Sequence, residues 1–381
     1  MKKIKKSNKK TILSLSWRDI RSSKSGGAEV HTHEMLSRID KLKYRVIHIS
    51  VFEKNLPAKE IIDGVMYLRK GNAITVIINA WLFYLTNRKN IDIVIDQCNT
   101  HRFFTPFWVS RKKRVFYIHQ LTREIWDINA RFPFNVIGKA SENMMLRFNR
   151  HDDVITVSED TKRELVDLGF DGDIRIIHNG VSFKPWDKSQ WLDKEENLTF
   201  IYVGRYSAYK GINVAIEALG KIKKDYPSAK LWILGKKDEE FINRELLPVC
   251  KKYSLKWGED IVPWGFVSEE EKLNLLSRAH ALVFPSIREG WGIPVTEAGC
   301  VGTPCIAFNS PGIAEAVDYG KAGYLCEKND SDTVAGLMRR IIENETEYDQ
   351  MRNKAYEFSS GFTWDKSGKD FEDFMDSKIN K

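Results

Sequence analysis

Two glutamates separated by seven residues stand in the stretch of sequence with the clearest chemistry. Glu289 and Glu297 flank the sequence Gly290-Trp291-Gly292-Ile293-Pro294, which follows the apolar run 281–284. The run predicts a strand, and Pro294 predicts the start of a helix with Glu297 in its first turn. Glycines allow close backbone approach to a ligand, and carboxylates accept hydrogen bonds from vicinal hydroxyls. The pattern indicates recognition of a sugar or ribose beside a phosphate, at the carboxyl edge of a parallel sheet.

Two cations occupy the same kind of position about eighty residues earlier. The predicted strand 200–204 ends in Gly204 and is followed at once by Arg205, with Lys210 at the entry to the next predicted helix. A guanidinium binds a diphosphate through two parallel hydrogen bonds, and a lysine adds a point charge. Arg205 and Lys210 therefore predict a diphosphate site in which the cations stabilise a departing nucleoside diphosphate.

Glycines and a histidine are the corresponding candidates in the first half of the chain. Gly26 and Gly27 follow the first predicted strand and precede a helix, so their amides are placed to bind a donor phosphate. The sequence lacks the spacing of a dinucleotide or nucleoside triphosphate fingerprint. His119 ends the predicted strand 114–118, where a neutral imidazole donates to a sugar hydroxyl. Asp19 and Glu124 are further candidate carboxylates for an acceptor, without a motif behind them.

The paired glutamates resemble the signature of family 4 of the retaining glycosyltransferases, which have the GT-B fold. That signature usually reads Glu-Gly-Phe-Gly-Leu-Pro and then Glu-Ala, and the sequence departs from it only at Trp291 and Ile293. The resemblance implies that Glu289 contacts the donor sugar and that the backbone from Gly290 to Ile293 holds its hydroxyls. It also implies that Glu297 binds the nucleotide ribose.

The resemblance extends to three other places in the chain. The sequence Val-Gly204-Arg205 followed by Lys210-Gly is similar to the pyrophosphate grip of the family, and Gly26-Gly27-Ala-Glu is similar to its phosphate loop. Many members carry a His-Asp pair where this chain has His119 and Gln120, so we assign His119 to contact with the donor sugar and not to proton abstraction. The family mechanism, attack on the sugar from the leaving-group side, needs no metal and no other cofactor.

Alternation of predicted strands and helices along the whole chain indicates an α/β fold. Two such runs predict two Rossmann-like domains, which the GT-B resemblance places on opposite sides of a deep cleft. We expect an acceptor-binding domain at residues 1–183 and a donor-binding domain at 184–361. The resemblance implies that the last segment, 362–381, forms a helix that packs back on the first domain.

Charge is divided unevenly between these two domains. Residues 1–180 contain 32 Lys and Arg against 20 Asp and Glu, whereas the rest of the chain is acidic. Basic residues occur at Lys2–Lys10, Lys41–Arg45 and Arg111–Arg114, and bulky apolar residues lie among them. Such a mixture is typical of proteins that bind an anionic membrane surface, although a solvated basic face over a core of aromatic residues explains it equally well.

Composition excludes several other classes of protein. A hydrophobic fraction of 42% excludes global disorder, and no apolar run approaches the ~20 residues of a membrane-spanning helix. The five cysteines are scattered without metal-ligand spacing, which together with the lack of a visible signal peptide predicts a cytoplasmic protein with reduced thiols. His31 and His33, two residues apart on a predicted helix, diverge and do not predict a metal site.

The combined interpretation is a retaining, metal-independent glycosyltransferase. It is expected to move a hexose-type sugar from a nucleotide-diphosphate donor to a hydroxyl of a glycan or lipid-linked acceptor, in cell-surface polysaccharide or glycolipid synthesis. A catalytically inactive relative that binds glycan or nucleotide, and a nucleotide-sugar epimerase of the same fold, remain alternatives. Nucleic-acid binding would explain the basic half but not the ordered series of Arg205, Lys210, Glu289 and Glu297.

Overall fold

The computed structural model describes residues 8–99 and 101–380, which form two compact units. The first unit contains the described residues up to Arg123, together with Phe132–Gly180 and the residues from Thr363 onward. The second unit contains Glu124–Arg131 and Val181–Phe362. The short segment Glu124–Arg131 thus groups with the second unit, although the chain on both sides of it belongs to the first.

The first unit is built on an eight-stranded sheet in the order β3-β4-β2-β1-β5-β6-β7-β8. All neighbouring strands are parallel except β3 and β4, which form an antiparallel pair at one edge. The strands are β1 Lys10–Leu15, β2 Tyr44–Ser50, β3 Lys59–Ile62, β4 Val65–Arg69, β5 Ile93–Cys98, β6 Arg114–Ile118, β7 Asp153–Thr156 and β8 Ile174–Ile176.

The second unit is built on a six-stranded, fully parallel sheet in the order β11-β10-β9-β12-β13-β14. The strands are β9 Thr199–Val203, β10 Lys230–Leu234, β11 Ile261–Gly265, β12 Ala281–Phe284, β13 Cys305–Ala307 and β14 Tyr324–Leu325. The first strand of the unit lies at the centre, and the order runs outward from it in both directions. This is the strand order of a Rossmann fold, with its switch point between β9 and β12.

Helices connect the parallel strands and cover the sheets, as parallel pairing requires. In chain order they are α1 Gly27–Arg38, α2 Thr75–Asn87, α3 Ile125–Asn129, α4 Phe134–Leu146, α5 Glu159–Asp167, α6 Ile212–Ile222, α7 Glu239–Phe241, α8 Leu247–Lys252, α9 Glu269–Arg278, α10 Ile293–Cys300, α11 Ile313–Ala316, α12 Ser331–Glu343, α13 Glu345–Ser359 and α14 Trp364–Asn380. Helix α14 packs against α1 in the first unit, where Trp364, Phe371 and Phe374 enter the core beside β1 and β2.

The predicted α/β class and the strands that define it are confirmed. What the sequence analysis missed is the β3–β4 hairpin at the edge of the first sheet, whose short strands carry half-exposed residues and no long apolar run. The helix after Gly292 begins at Ile293, one residue earlier than expected, and Glu297 lies beyond its first turn. That part of the prediction was wrong.

Candidate active site

The cations and the glutamate of the second unit meet at the switch point of its sheet. Strands β9 and β12 are adjacent, with Phe200 opposite Ala281. Arg205 follows β9 and Glu289 follows β12, so both residues lie beyond the carboxyl ends of adjacent strands. Open α/β sheets bind their ligands at this point.

Two close backbone contacts hold the loops after β9 and β12 together. Gly211 has a φ of +72°, and a Cβ built on it would lie 2.2 Å from the carbonyl oxygen of Pro285. The amide of Ile287 donates a 3.0 Å hydrogen bond to the carbonyl oxygen of Tyr209. Because any side chain at position 211 would force these loops apart, the glycine is required for their approach.

That approach places Lys210 directly against Glu289. The Lys210 ammonium donates to Oε1 of Glu289, and the two side chains are 11% and 13% exposed. The ammonium also lies 5.2 Å from the ring centroid of Tyr209 and 5.9 Å from that of Phe284. Because both side chains are largely shielded from water, the ion pair fixes the ammonium of Lys210 and the carboxylate of Glu289 near the carboxyl edge of the sheet.

Arg205 lies on the same edge with a more exposed guanidinium. Its Nη2 donates a 3.0 Å hydrogen bond to the hydroxyl of Tyr209, and its carbonyl oxygen accepts one of 3.1 Å from the buried hydroxyl of Tyr202. A Cβ on the preceding Gly204 would lie 2.7 Å from that same hydroxyl. Gly204 thus allows the turn through which Tyr202 fixes the backbone of Arg205.

The residues between the two glutamates contribute through their backbone. The side chain of Trp291 is buried and packs on Phe362, with ring centroids 4.8 Å apart, so it belongs to the core. Gly292 has a φ of +97° and immediately precedes α10, whose first residue is Ile293. The sequence Gly290 to Ile293 therefore forms a turn that leads into the amino end of a helix, where backbone N–H groups point outward.

Glu297 is buried in α10 and pairs with a lysine that the sequence analysis did not single out. Nζ of Lys272 lies 2.8 Å from Oε1 of Glu297 and 2.9 Å from Oε1 of Glu269. Burial raises the pKa of Glu297, and Lys272 offsets this only in part. Burial also acts to lower the pKa of Lys272, but the two carboxylates outweigh it and the pKa is raised. No local motif links positions 272 and 297, so only the packing of α9 against α10 reveals the pair.

Arg288, next to Glu289 in the chain, makes a second contact that the motif did not indicate. Its side chain is 2% exposed, and its Nε lies 2.6 Å from Oε2 of Glu124. Glu124 begins the segment that groups with the second unit, directly before α3. Glu124, a candidate carboxylate for the acceptor, is therefore paired with Arg288, which directly precedes Glu289 in the chain.

In the first unit, Gly26 and Gly27 stand at the start of α1 as expected. Gly26 is the cap residue, and its amide donates a 2.8 Å hydrogen bond to Oε2 of Glu29. The carboxylate of Glu29 also accepts from Asn99 at 3.0 Å. The Gly26 amide is thus engaged within the protein, and any contact of this helix start with a phosphate would come from Gly27 onward.

His119 follows β6 in the first unit and, itself half-buried, packs against buried aromatic and histidine rings. Its ring centroid lies 4.8 Å from that of Tyr117 and 5.3 Å from that of His31. Burial lowers the pKa of His119 well below its usual value, so its imidazole is neutral, as expected. Its buried Nε2 has no hydrogen-bond partner among the described residues, a costly condition that a ligand hydroxyl would relieve.

Asp19 has a structural role in the first unit and is unsuited to bind an acceptor. Its carboxylate is 2% exposed and receives hydrogen bonds from Nε and Nη2 of Arg69, at 2.8 and 3.1 Å, and from Ser50 at 2.6 Å. His31 and His33 diverge as predicted, since His31 contacts the carbonyl oxygen of Ile177 and His33 contacts Tyr67.

Three further features bear on metal binding, thiol chemistry and membrane crossing. Within residues 8–99 and 101–380, no group of three or more His, Cys, Asp or Glu side chains is arranged to hold a metal ion. All five cysteines are buried and unpaired, consistent with the predicted thiols. None of the helices in the described part of the chain has the length and apolar character needed to cross a membrane.

Comparison with protein families assigns both halves of the chain. The model described as "Glycosyl transferases group 1" matches residues 184–358, and the model described as "Glycosyltransferase Family 4" matches residues 25–184. The chain belongs to the group 1 glycosyltransferases. The first match contains the whole series from Arg205 to Glu297, and the second contains His119.

Other glycosyltransferases align with this one over part or most of their length. Glycogen synthase of Mycobacterium tuberculosis is 28% identical over 228 residues, 59% of this chain but only 53% of the relative. The chain thus spans about half the length of that relative. An uncharacterized glycosyltransferase of Methanocaldococcus jannaschii is 26% identical over 352 residues, which cover 90% of this chain and 92% of the other.

A solved structure shows that this glycosyltransferase has the GT-B fold. The structure of HepE from Anabaena, in complex with UDP-glucose, superposes with a TM-score of 0.70 at 15% identity and covers 96% of this chain and 99% of its own. At this low identity the likeness concerns the fold alone. The predicted GT-B fold and family are confirmed, and the roles of the individual site residues remain predictions.

Proposed function

We propose that this protein is a retaining glycosyltransferase that transfers a hexose-type sugar from a nucleoside diphosphate to a hydroxyl of a glycan or lipid-linked acceptor. The observation that carries the proposal is the grouping of Arg205, Lys210 and Glu289 at the switch point of the second sheet. Two cations suit the diphosphate, and the carboxylate suits a sugar hydroxyl. The complex of HepE with UDP-glucose supports a nucleotide-sugar donor of this class.

Each group has a defined part in the proposed transfer. Arg205 and Lys210 bind the diphosphate and stabilise the negative charge that develops as the bond from the anomeric carbon to the phosphate oxygen breaks. The acceptor oxygen bonds to the anomeric carbon on the face that the diphosphate leaves. The acceptor proton passes to the departing phosphate, so the product keeps the anomeric configuration of the donor. Glu289 orients the sugar, and the neutral His119 donates to one of its hydroxyls.

The proposed transfer needs no metal, because Arg205 and Lys210 supply the positive charge at the diphosphate. We propose that the acceptor belongs to cell-surface polysaccharide or glycolipid synthesis and that the protein works in the cytoplasm, beside a membrane surface. The excess of basic residues in the first half of the chain supports that last point.

A panel of nucleotide sugars tests the donor class first. A bound donor at a hundred times its dissociation constant should stabilise the protein by about 2.7 kcal/mol, which a thermal-shift assay detects. The donor that binds is then incubated with candidate acceptors in the presence of a chelator, and proton NMR reads the anomeric configuration of the product. Inversion would refute the retaining mechanism, and loss of transfer that Mg²⁺ restores would refute metal independence.

Donor binding without transfer to any glycan or lipid-linked acceptor would instead favour the inactive relative. Conversion of the donor into a second nucleotide sugar, with no acceptor present, would favour the epimerase. The same incubations therefore separate the proposed function from both alternatives.

A further inference from the structure

The first unit has an apolar surface that no part of the described chain covers. Of the 21 large apolar side chains that are exposed among the described residues, sixteen lie in this unit. Twelve of the sixteen lie on α2, on α4 or next to them: Ile74, Ile78, Trp81, Leu82, Leu85, Phe107, Phe132, Phe134, Val136, Ile137, Met144 and Phe148. We call this set the apolar surface.

Helix α2 is apolar on both of its faces. Val76, Ala80 and Phe83 face the core, whereas Ile78, Trp81, Leu82 and Leu85 recur at helical spacing on the outer face, with exposures from 39% to 51%. A helix that is apolar all round normally lies inside a protein or against lipid. Helix α2 lies on the outside of its unit, and its outer face is better suited to an apolar environment than to water.

Aromatic contacts link α2 to the end of α4 through Phe107 and Trp108, which lie in the connection between β5 and β6. Tyr84 of α2 packs on Trp108, with ring centroids 5.3 Å apart. The neighbouring Phe107 packs on Phe148, just after α4, at 5.2 Å. These rings link the two helices within the unit, although 46 residues separate the end of α2 from the start of α4.

Charge around this surface has a single sign. The segments 70–91, 101–118 and 132–150 contain eleven Lys and Arg but only one acidic residue, Glu142. The carboxylate of Glu142 is turned inward, where it accepts from the amide of Thr122 at 2.6 Å and from that of Arg123. The segments that contribute the apolar surface thus carry an excess of positive charge, without an exposed carboxylate of their own to offset it.

Only some of these basic residues face outward. Arg114 is buried and binds Asp152 at 2.6 Å, and Nζ of Lys113 donates to the carbonyl oxygens of Arg88 and Ile91. Arg88, Lys89, Arg111, Lys112 and Arg147 are exposed. The basic cluster 111–114 noted in the sequence therefore contributes two outward charges and two structural ones. Lys2, Lys3, Lys5 and Lys6 of the lysine-rich start lie outside the described residues.

We infer that the apolar surface is the site at which the protein inserts into the headgroup region of an anionic lipid bilayer. Exposed apolar side chains on segments that also carry exposed cations match a surface whose interior is hydrocarbon and whose headgroups are negative. A second copy of this chain would instead bring two positively charged surfaces together, which like-charge repulsion disfavours. The inference rests on the proposed function in one respect, since it is through this surface that the enzyme would reach a lipid-linked acceptor.

Vesicle flotation of the full chain tests the inference without donor or acceptor. The protein should float with vesicles of equimolar phosphatidylcholine and phosphatidylglycerol, and much less with phosphatidylcholine alone. Ile78→Ser with Leu82→Ser on α2, and separately Phe134→Ser with Ile137→Ser on α4, should each lower the partition coefficient at least tenfold. Arg111→Gln and Lys112→Gln should lower it about fivefold each. Phe266→Ser, at an 88% exposed position of the second unit, is the matched control and should change nothing.

Insertion can be read directly because all five native cysteines are buried. An environment-sensitive thiol label on Ile78→Cys or Ile137→Cys should shift to the blue when anionic vesicles are added, whereas a label on Phe266→Cys should not. Flotation that survives both pairs of serine substitutions would overturn the inference. A blue shift that depends on protein concentration and needs no vesicles would also overturn it, in favour of self-association. Nucleotide-sugar binding, measured by thermal shift on the same variants, should stay unchanged, so failure of this inference is distinguishable from failure of the proposed function.

Discussion

Lys210 and Glu289, 79 positions apart in the sequence, form an ion pair where two adjacent strands of the second sheet end. Both side chains are largely buried, so neither charge is well solvated without the other. Removing one partner of such a pair costs more than the pair itself contributes, because it leaves an uncompensated charge. Substitution of either residue is therefore expected to affect both the stability of the protein and the chemistry of the proposed donor site, and variants must be chosen to separate the two effects.

Replacement of Lys210 should damage both activity and stability. We expect Lys210→Ala to lower turnover by orders of magnitude and to lower the free energy of unfolding by about 1–3 kcal/mol, because Glu289 loses its partner. The double variant Lys210→Ala, Glu289→Gln should regain stability but not turnover. Urea denaturation and steady-state kinetics at saturating donor measure the two effects. If the double variant unfolds as easily as the single one, the ion pair is not the cause of the lost stability.

Arg205 offers the cleaner test of diphosphate binding, because its guanidinium is exposed and, among the described residues, donates only to the hydroxyl of Tyr209. We expect Arg205→Ala to lower turnover by orders of magnitude and to leave the free energy of unfolding within about 0.5 kcal/mol of wild type. Arg205→Lys should recover only part of the activity, since a point charge cannot make two parallel bonds to a diphosphate. Tyr209→Phe is the control for the hydrogen bond alone. Wild-type turnover in Arg205→Ala would remove this residue from the site.

Glu289→Gln and Glu297→Gln should differ in what they change. Glu289→Gln removes the charged contact to a donor hydroxyl and should mainly lower kcat, whereas Glu297→Gln should mainly weaken binding of the nucleoside diphosphate. Lys272→Met should also weaken binding of the nucleoside diphosphate, because Lys272 donates a 2.8 Å hydrogen bond to the carboxylate of Glu297. Calorimetric titration with the nucleoside diphosphate gives the affinities. Unchanged affinity in Glu297→Gln would refute the ribose role, and loss of affinity in Lys272→Met alone would assign that role to the lysine.

Two buried histidines of the first unit predict how stability depends on pH. Burial lowers the pKa of His31 and of His48 to about 4. In the unfolded chain each takes up a proton near pH 6.5, so stability is full above that pH and is lost as the pH falls towards 4. Each contributes a slope of up to about 1.4 kcal/mol per pH unit in this window. Urea denaturation from neutral to mildly acidic pH should show the slope, and His48→Gln should flatten it.

His151, which is 45% exposed beside Asp171, supplies the control for that experiment. His151→Gln makes the same substitution at this exposed position, so a change of slope seen there too is not specific to the buried rings. A slope that stays the same in His48→Gln would show that other groups govern the acid transition.

Local sequence was sufficient to predict the fold class, most of the strands and the chain positions of a candidate donor site. Arg205, Lys210, Glu289 and Glu297 could be recognised because each follows a short apolar run or a glycine turn, features that are set by neighbouring residues. The carboxyl ends of parallel strands meet at one edge, so positions along the chain already imply neighbours in space.

What each side chain contacts was decided only by the tertiary structure. The pairing of Lys272 with Glu297, of Arg288 with Glu124 and of Arg114 with Asp152 joins residues on elements that no local pattern relates. The exposure of the outer face of α2 could not be predicted either, because the sequence of an apolar helix is equally compatible with a position in the core. Burial and ion pairing depend on which helices and strands pack together. The packing that forms is the one with the lowest free energy for the whole domain, and no single segment determines that free energy.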